Sequence, residues 1–241
     1  MKRTERQHLK ENELERLARQ AQDALTKRRR EVTAGIIVLA IVGVAALGYY
    51  AWHDRVESKA HALLAEALAL QDARVGPPAA PGTPNPTLSF PTERERSQAA
   101  LTKFKVAADA YPSTDAGLYA RYEAAATEMA LGDASAAAAA YQEVITRGGS
   151  SVYVQMSRLG LAEAQARSGQ FDQAINTFKE LAQQKDGPLP VDAILMQLGR
   201  TYLDAGKRTE AQQTFTRLVQ EYPNSPFNGD AKKELDGLKK T

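Results

Sequence analysis

Residues 195–223 read LMQLGRTYLDAGKRTEAQQTFTRLVQEYP, two helical patterns on either side of Gly206. Leu195, Leu198 and Tyr202 recur at helical spacing before the glycine, and Ala211, Phe215 and Leu218 after it. A glycine there supplies the left-handed backbone that ends the first helix, and Pro223 stops the second. The pattern recurs upstream, because Gly132, Gly169 and Gly206 are 37 residues apart. Around Gly169 stand Leu161, Ala162, Phe171, Ala174, Phe178 and Leu181; around Gly132 stand Ala125, Ala137, Tyr141 and Val144, with an alanine-rich second helix. Small residues such as Ala174 and Ala211 let antiparallel helices approach, while Phe178 and Phe215 fill the space toward the next unit. Three units at one spacing predict an all-α array of helical hairpins.

A partial fourth unit precedes them: Ala100, Phe104, Ala107 and Tyr111-Pro112 repeat Ala211, Phe215, Leu218 and Tyr222-Pro223. The candidate for its first helix lies at about 55–73, where Ala60, Leu63, Leu64, Ala67 and Leu68 have suitable spacing. An inserted loop, Gly76–Pro91, with six prolines in 16 residues, separates the two halves and is expected to be extended and mobile. After Pro223, Asn228–Leu238 is expected to cap the array, with Lys232, Lys233, Lys239 and Lys240 on water.

Charge is unevenly placed. Residues 1–31 hold ten Lys or Arg against six acids, and the chain beyond residue 52 holds 21 against 23. Val32–Trp52 contributes 21 residues without a charged side chain, enough as a helix to cover about 30 Å, a bilayer's hydrocarbon thickness. Its apolar character runs all round, unlike a soluble amphipathic helix, and its length exceeds that of a cleaved signal peptide. Lys27–Arg30 brackets one end and Tyr49, Tyr50 and Trp52 the other, an arrangement expected to keep the N-terminus in the cytoplasm. Residues 9–26 place Leu9, Leu14, Leu17, Ala21 and Leu25 at helical spacing among charges, read as a solvated helix leading into the membrane, the alternative being a helix that docks on a cytoplasmic partner or on anionic lipid through Lys27–Arg30. The expected organisation is therefore a basic cytoplasmic tail (1–31), a transmembrane helix (32–52), a membrane-proximal helix (53–75), the Pro-rich loop (76–91) and the array with its cap (92–241).

Catalytic chemistry finds no candidate apparatus. There is no cysteine, and the three histidines, His8, His53 and His61, lack the spacing of a metal site. No phosphate-binding glycine loop or nucleophile elbow occurs, so no cofactor is expected. Glu123, Glu163 and Glu210 read as ordinary outer-face carboxylates. A nucleic-acid-binding domain would carry excess positive charge on its folded part, which this chain does not.

The repeats resemble the tetratricopeptide consensus. That resemblance implies a concave face lined by the second, fifth, ninth, twelfth and thirteenth residues of each first helix. In this chain they are Tyr119, Tyr122, Ala126, Met129 and Ala130; then Met156, Leu159, Glu163, Ala166 and Arg167; then Ala193, Met196, Arg200, Leu203 and Asp204. Tyr119, Tyr122, Met129, Met156, Leu159, Met196 and Arg200 are the expected protein-binding set. Methionine is unbranched and polarisable, which suits a surface that must adapt to unlike apolar segments. The alternative for each is packing between adjacent units. The Lys and Asn clamps that grip a C-terminal carboxylate are missing, and Arg200 alone is placed to meet an acidic group.

A basic tail, one span and an alanine-rich array ending in Tyr-Pro-Asn-Ser-Pro resemble the ancillary Sec translocon subunits that act as periplasmic chaperones. The Pro-rich insertion departs from that family's continuous first repeat. The resemblance implies a single-pass inner-membrane protein with an extracytoplasmic array, whose partners are unfolded or secreted clients and the translocon. Its alternative is a scaffold coordinating envelope assembly or cell division. A membrane-bound enzyme would need a polar functional cluster that the sequence does not contain.

Overall fold

The computed structural model describes residues 29–77, 88–184 and 187–239. The tail helix expected at 9–26, the Lys27–Arg28 pair and most of the Pro-rich loop fall outside the described residues. Among them are nine helices: α1 (Arg29–Gln71), α2 (Glu93–Ala110), α3 (Asp115–Leu131), α4 (Ala134–Arg147), α5 (Val152–Arg167), α6 (Phe171–Gln183), α7 (Val191–Asp204), α8 (Arg208–Glu221) and α9 (Asn228–Lys239). The chain divides into two compact units, one ending at Arg55 and one beginning at Val56.

In the first unit, α1 carries a stretch long and apolar enough to cross a membrane. Its large side chains face outward: Leu39 and Leu47 are each 72% exposed, and Trp52 is 60% exposed. A soluble core helix would bury such residues. The sequence separates a span at 32–52 from a helix at 53–75; both lie on α1, which ends at Gln71.

In the second unit, consecutive helices pair as antiparallel hairpins, α3 with α4, α5 with α6 and α7 with α8, and each also packs on the next. The turns are built alike. Gly132, Gly169 and Gly206 have φ of +91°, +77° and +73°. At each, the following N–H reaches back to a carbonyl five residues earlier: Asp133 to Glu128 at 2.9 Å, Gln170 to Gln165 at 2.8 Å and Lys207 to Tyr202 at 2.8 Å. This closure satisfies carbonyls that the helix end leaves open, and only glycine adopts the required conformation without strain. The Tyr-Pro ends also correspond, with Tyr111 N–H bonded to Ala107 and Tyr222 N–H to Leu218.

The partial unit is completed across the insertion. Ala60, Leu64 and Ala67 of α1 share a buried cluster with Ala100 and Phe104 of α2 and with Ala116, Ala120 and Ala124 of α3. The flanks of the insertion are paired, β1 (Arg74–Val75) in parallel with β2 (Ser89–Phe90). Gly76 N–H adds a 2.9 Å bond to the Phe90 carbonyl. The physical reason is that Ser89 and Phe90, unlike the prolines around them, retain N–H donors for a ladder. Thr92 then caps α2 by accepting from Glu95 N–H.

Candidate functional site

The first helices of the hairpins lie side by side, α3 against α5 and α5 against α7. Their shared face divides into an aromatic part and a charged part.

The aromatic part is a cluster of four tyrosines. Tyr119 and Tyr122 come from α3, one turn apart, with ring centroids separated by 6.4 Å. Tyr153, in the first turn of α5, lies 5.2 Å from Tyr119 and 6.3 Å from Tyr122. Tyr141 of α4 lies beneath, 5.8 Å from Tyr122. Tyr119, Tyr122 and Tyr153 are partly exposed, whereas Tyr141 is buried. Gly160 makes room for it: a Cβ there would stand 2.4 Å from the Tyr141 ring. Ser151 fixes the start of α5 by accepting from the Tyr153 N–H, which holds Tyr153 at the cluster.

Two carboxylates border these rings. Glu123, on α3, accepts a 3.2 Å hydrogen bond from Gln71 Nε2. Burial, then hydrogen bonding to Glu123, pushes the Tyr119 hydroxyl up to about 12. Tyr122 is raised by burial and by the charges of both Glu123 and Glu163. Tyr141 is raised mainly by burial, with Arg167 acting in the opposite sense. Burial also raises Glu163 above the ordinary glutamate range, again opposed by Arg167. The expectation that Glu123 and Glu163 are ordinary outer-face residues is thereby corrected, because both act on the tyrosine cluster.

The charged part is a hollow of about 220 Å³ whose lining includes Glu163, Arg167, Arg200 and Asp204, with Phe178. Arg200, expected to meet an acidic group, faces Asp230 of α9 at 3.4 Å. Arg167 donates to the Met129 carbonyl at 3.5 Å.

The methionines separate. Met156 is partly exposed, Met129 is 8% exposed and packs with Ala125, Ala137 and Tyr141, and Met196 is 1% exposed. Met196 belongs to the largest core cluster, with Phe178, Leu198 and Phe215. Its expected place on the binding face is therefore corrected: apolar neighbours on α5 to α8 leave it no surface for a partner. Leu159 is half-buried against the same cluster. Sequence reading missed Tyr153, which stands outside the 37-residue register, and missed Gly160, whose role exists only because Tyr141 crosses the seam. Among the described residues no group of three or more His, Cys, Asp or Glu side chains converges as a metal site would require.

Residues 27–226 match the sequence family described as "Tetratricopeptide repeat-like domain". No curated protein sequence matches the chain. Among solved structures, it is similar to two described as "Podosopora anserina putative kinesin light chain nearly identical TPR-like repeats". One crystal structure has a TM-score of 0.57 at 16% identity over 76% of this chain and 85% of that one. The other has a TM-score of 0.56 at 15% identity over 76% and 86%. At these identities the likeness concerns the fold alone.

Proposed function

The chain belongs to the tetratricopeptide repeat-like domain family, and on that premise we propose that it is a membrane-anchored protein-interaction module. The apolar part of α1 holds it in the inner membrane with the N-terminus in the cytoplasm, and the array works on the extracytoplasmic side. There it acts as a translocon-associated chaperone or scaffold for secreted or envelope proteins. The single observation that carries the binding role is the partly exposed aromatic face between α3 and α5. Rigid amphipathic rings supply contact area at little entropic cost. The outward-facing apolar side chains from Ile36 to Leu47, followed by exposed Tyr49, Tyr50 and Trp52, support the anchor, and the basic cluster Lys27–Arg30 in the sequence supports its direction.

The test is photo-crosslinking from Tyr122 and Leu159 in native membranes. Adducts with translocon subunits and secretory chains are expected. Adducts confined to envelope-assembly or division proteins favour the scaffold, the reading that the same architecture also supports. A cytoplasm-dependent reporter fused after Thr241 is expected to stay silent, and its activity would reverse the topology.

A further inference from the structure

We infer that the tyrosine face between α3 and α5 is a cation-seating subsite that receives a Lys or Arg side chain from an extended segment of the partner polypeptide. This rests on the protein-binding reading above and names what that face selects.

Aromatic rings are electron-rich on their faces, and a cation placed over them is attracted without needing a formal counter-charge. Here Tyr119, Tyr122 and Tyr153 offer three such rings within 5.2–6.4 Å of one another, all partly exposed. Two carboxylates approach them from different helices, Glu123 from α3 and Glu163 from α5, and both bear on Tyr122. A purely apolar guest would leave these carboxylates further dehydrated with nothing in exchange. An acidic guest would add a third negative charge. A guanidinium or ammonium instead supplies hydrogen bonds and opposite charge to groups that have already lost part of their water.

Arg167 is the cation of the described chain that acts on this cluster, opposing the shifts of Tyr141 and Glu163. Its guanidinium also donates to the Met129 carbonyl, so one carboxylate is partly served from within. Glu123 is met by neutral groups, the Gln71 amide at 3.2 Å and the Tyr119 hydroxyl. A guest cation over Tyr119 and Tyr122 therefore meets the carboxylate that has no ion-pair partner among the described residues.

The test uses the full chain in neutral detergent and short extended peptides identical except for one central residue: Arg, its neutral isostere citrulline, or Glu. Binding is followed by calorimetry. The Arg peptide is expected to bind about tenfold more tightly than the citrulline peptide, and the Glu peptide more weakly than both. The Arg preference should shrink as salt rises. Combining Glu123→Gln with Glu163→Gln should bring the ratio near one while leaving citrulline binding in place. A thermal melt of that variant establishes that it folds, and the salt series on the unaltered chain gives the same reading if it does not. Tyr153→Phe, which keeps the ring, should stay within about twofold. Equal binding of Arg and citrulline peptides, lost on combining Tyr119→Ser with Tyr153→Ser, would overturn the cation subsite and leave the protein-binding face intact. Failure of every peptide to bind would remove both.

Discussion

Tyr122 and Met196 occupy the same position of the 37-residue repeat, yet one stands partly open on the inner face and the other is 1% exposed. Their surroundings explain the difference. The α3–α4 hairpin packs through alanines, with Ala125, Ala137 and Ala140 in its core and Ala164 entering from α5. Helices that meet through alanine approach closely and have no long side chains to spread over a neighbour, so large residues are left at the edge of the seam. The α7–α8 hairpin packs through Ile194, Leu195, Leu198, Phe215 and Leu218, and Leu159 and Ala166 of α5 extend that cluster over the inner face. A register position thus says which direction a side chain points, while the size of its neighbours decides whether it ends as surface or core. At one end of the array these positions remain open on the inner face, and at the other they are enclosed in the core.

Charge at the two kinds of position should break this comparison most sharply. Met196→Glu would strand a carboxylate in an aliphatic core and is expected to cost on the order of 4 kcal/mol in thermal or denaturant unfolding. Met156→Glu, at a partly exposed site, should cost less than about 1 kcal/mol. Similar losses for both would mean that the inner face is closed along its whole length.

A smaller effect is expected from the two glycines that admit aromatic rings. A Cβ at Gly199 would stand 2.4 Å from the Phe215 ring, and one at Gly160 would stand 2.4 Å from the Tyr141 ring. Gly→Ala at either should destabilise by about 1–3 kcal/mol through overpacking. Gly199→Ala should be the worse of the two, because Phe215 is wholly enclosed by large side chains while Tyr141 borders on alanines and retains 4% exposure. Adding Tyr141→Leu to Gly160→Ala should recover part of the loss, as a double-mutant cycle would measure.

Least in size is the pH response of the aromatic face. Burial raises Glu163 in the folded state, so the protonated form is favoured by folding. Between the ordinary glutamate value and the raised one, the folded chain binds more protons than the unfolded chain, and stability falls as pH rises through that window. Glu163→Gln should flatten this slope, which melts at stepped pH would register. Tyrosine absorbance should show the complementary effect, with Tyr119, Tyr122 and Tyr141 ionising above the ordinary phenol range.

Much of the fold was legible because its signals are local and repeated. The three glycines each demand one backbone conformation, and Phe104, Tyr141, Phe178 and Phe215 recur at a fixed distance from small partners. Even the severed first helix could be found, since Ala60, Leu64 and Ala67 keep the helical spacing on the far side of the insertion. The β1–β2 bridge was not legible: two residues per strand are too few to show alternation. The proposed binding face was legible only in part. Tyr119 and Tyr122 follow from the register, but Tyr153 joins them from outside it, and the burial of Met196 depends on neighbours contributed by four helices. Glu123 and Glu163 look like any helix carboxylates until the tyrosines beside them are placed.

The central claim is that partners engage the inner face formed by the first helices. The most direct measurement places a photo-reactive residue at Tyr119 or Met156, or instead at the exposed outer-helix positions Glu180 of α6 or Gln212 of α8. Each full chain, in neutral detergent, is mixed with a chemically unfolded model protein before illumination. Adducts from Tyr119 and Met156 with none from Glu180 and Gln212 are the predicted result. Equal adducts from all four positions, or adducts from the outer pair alone, would contradict it.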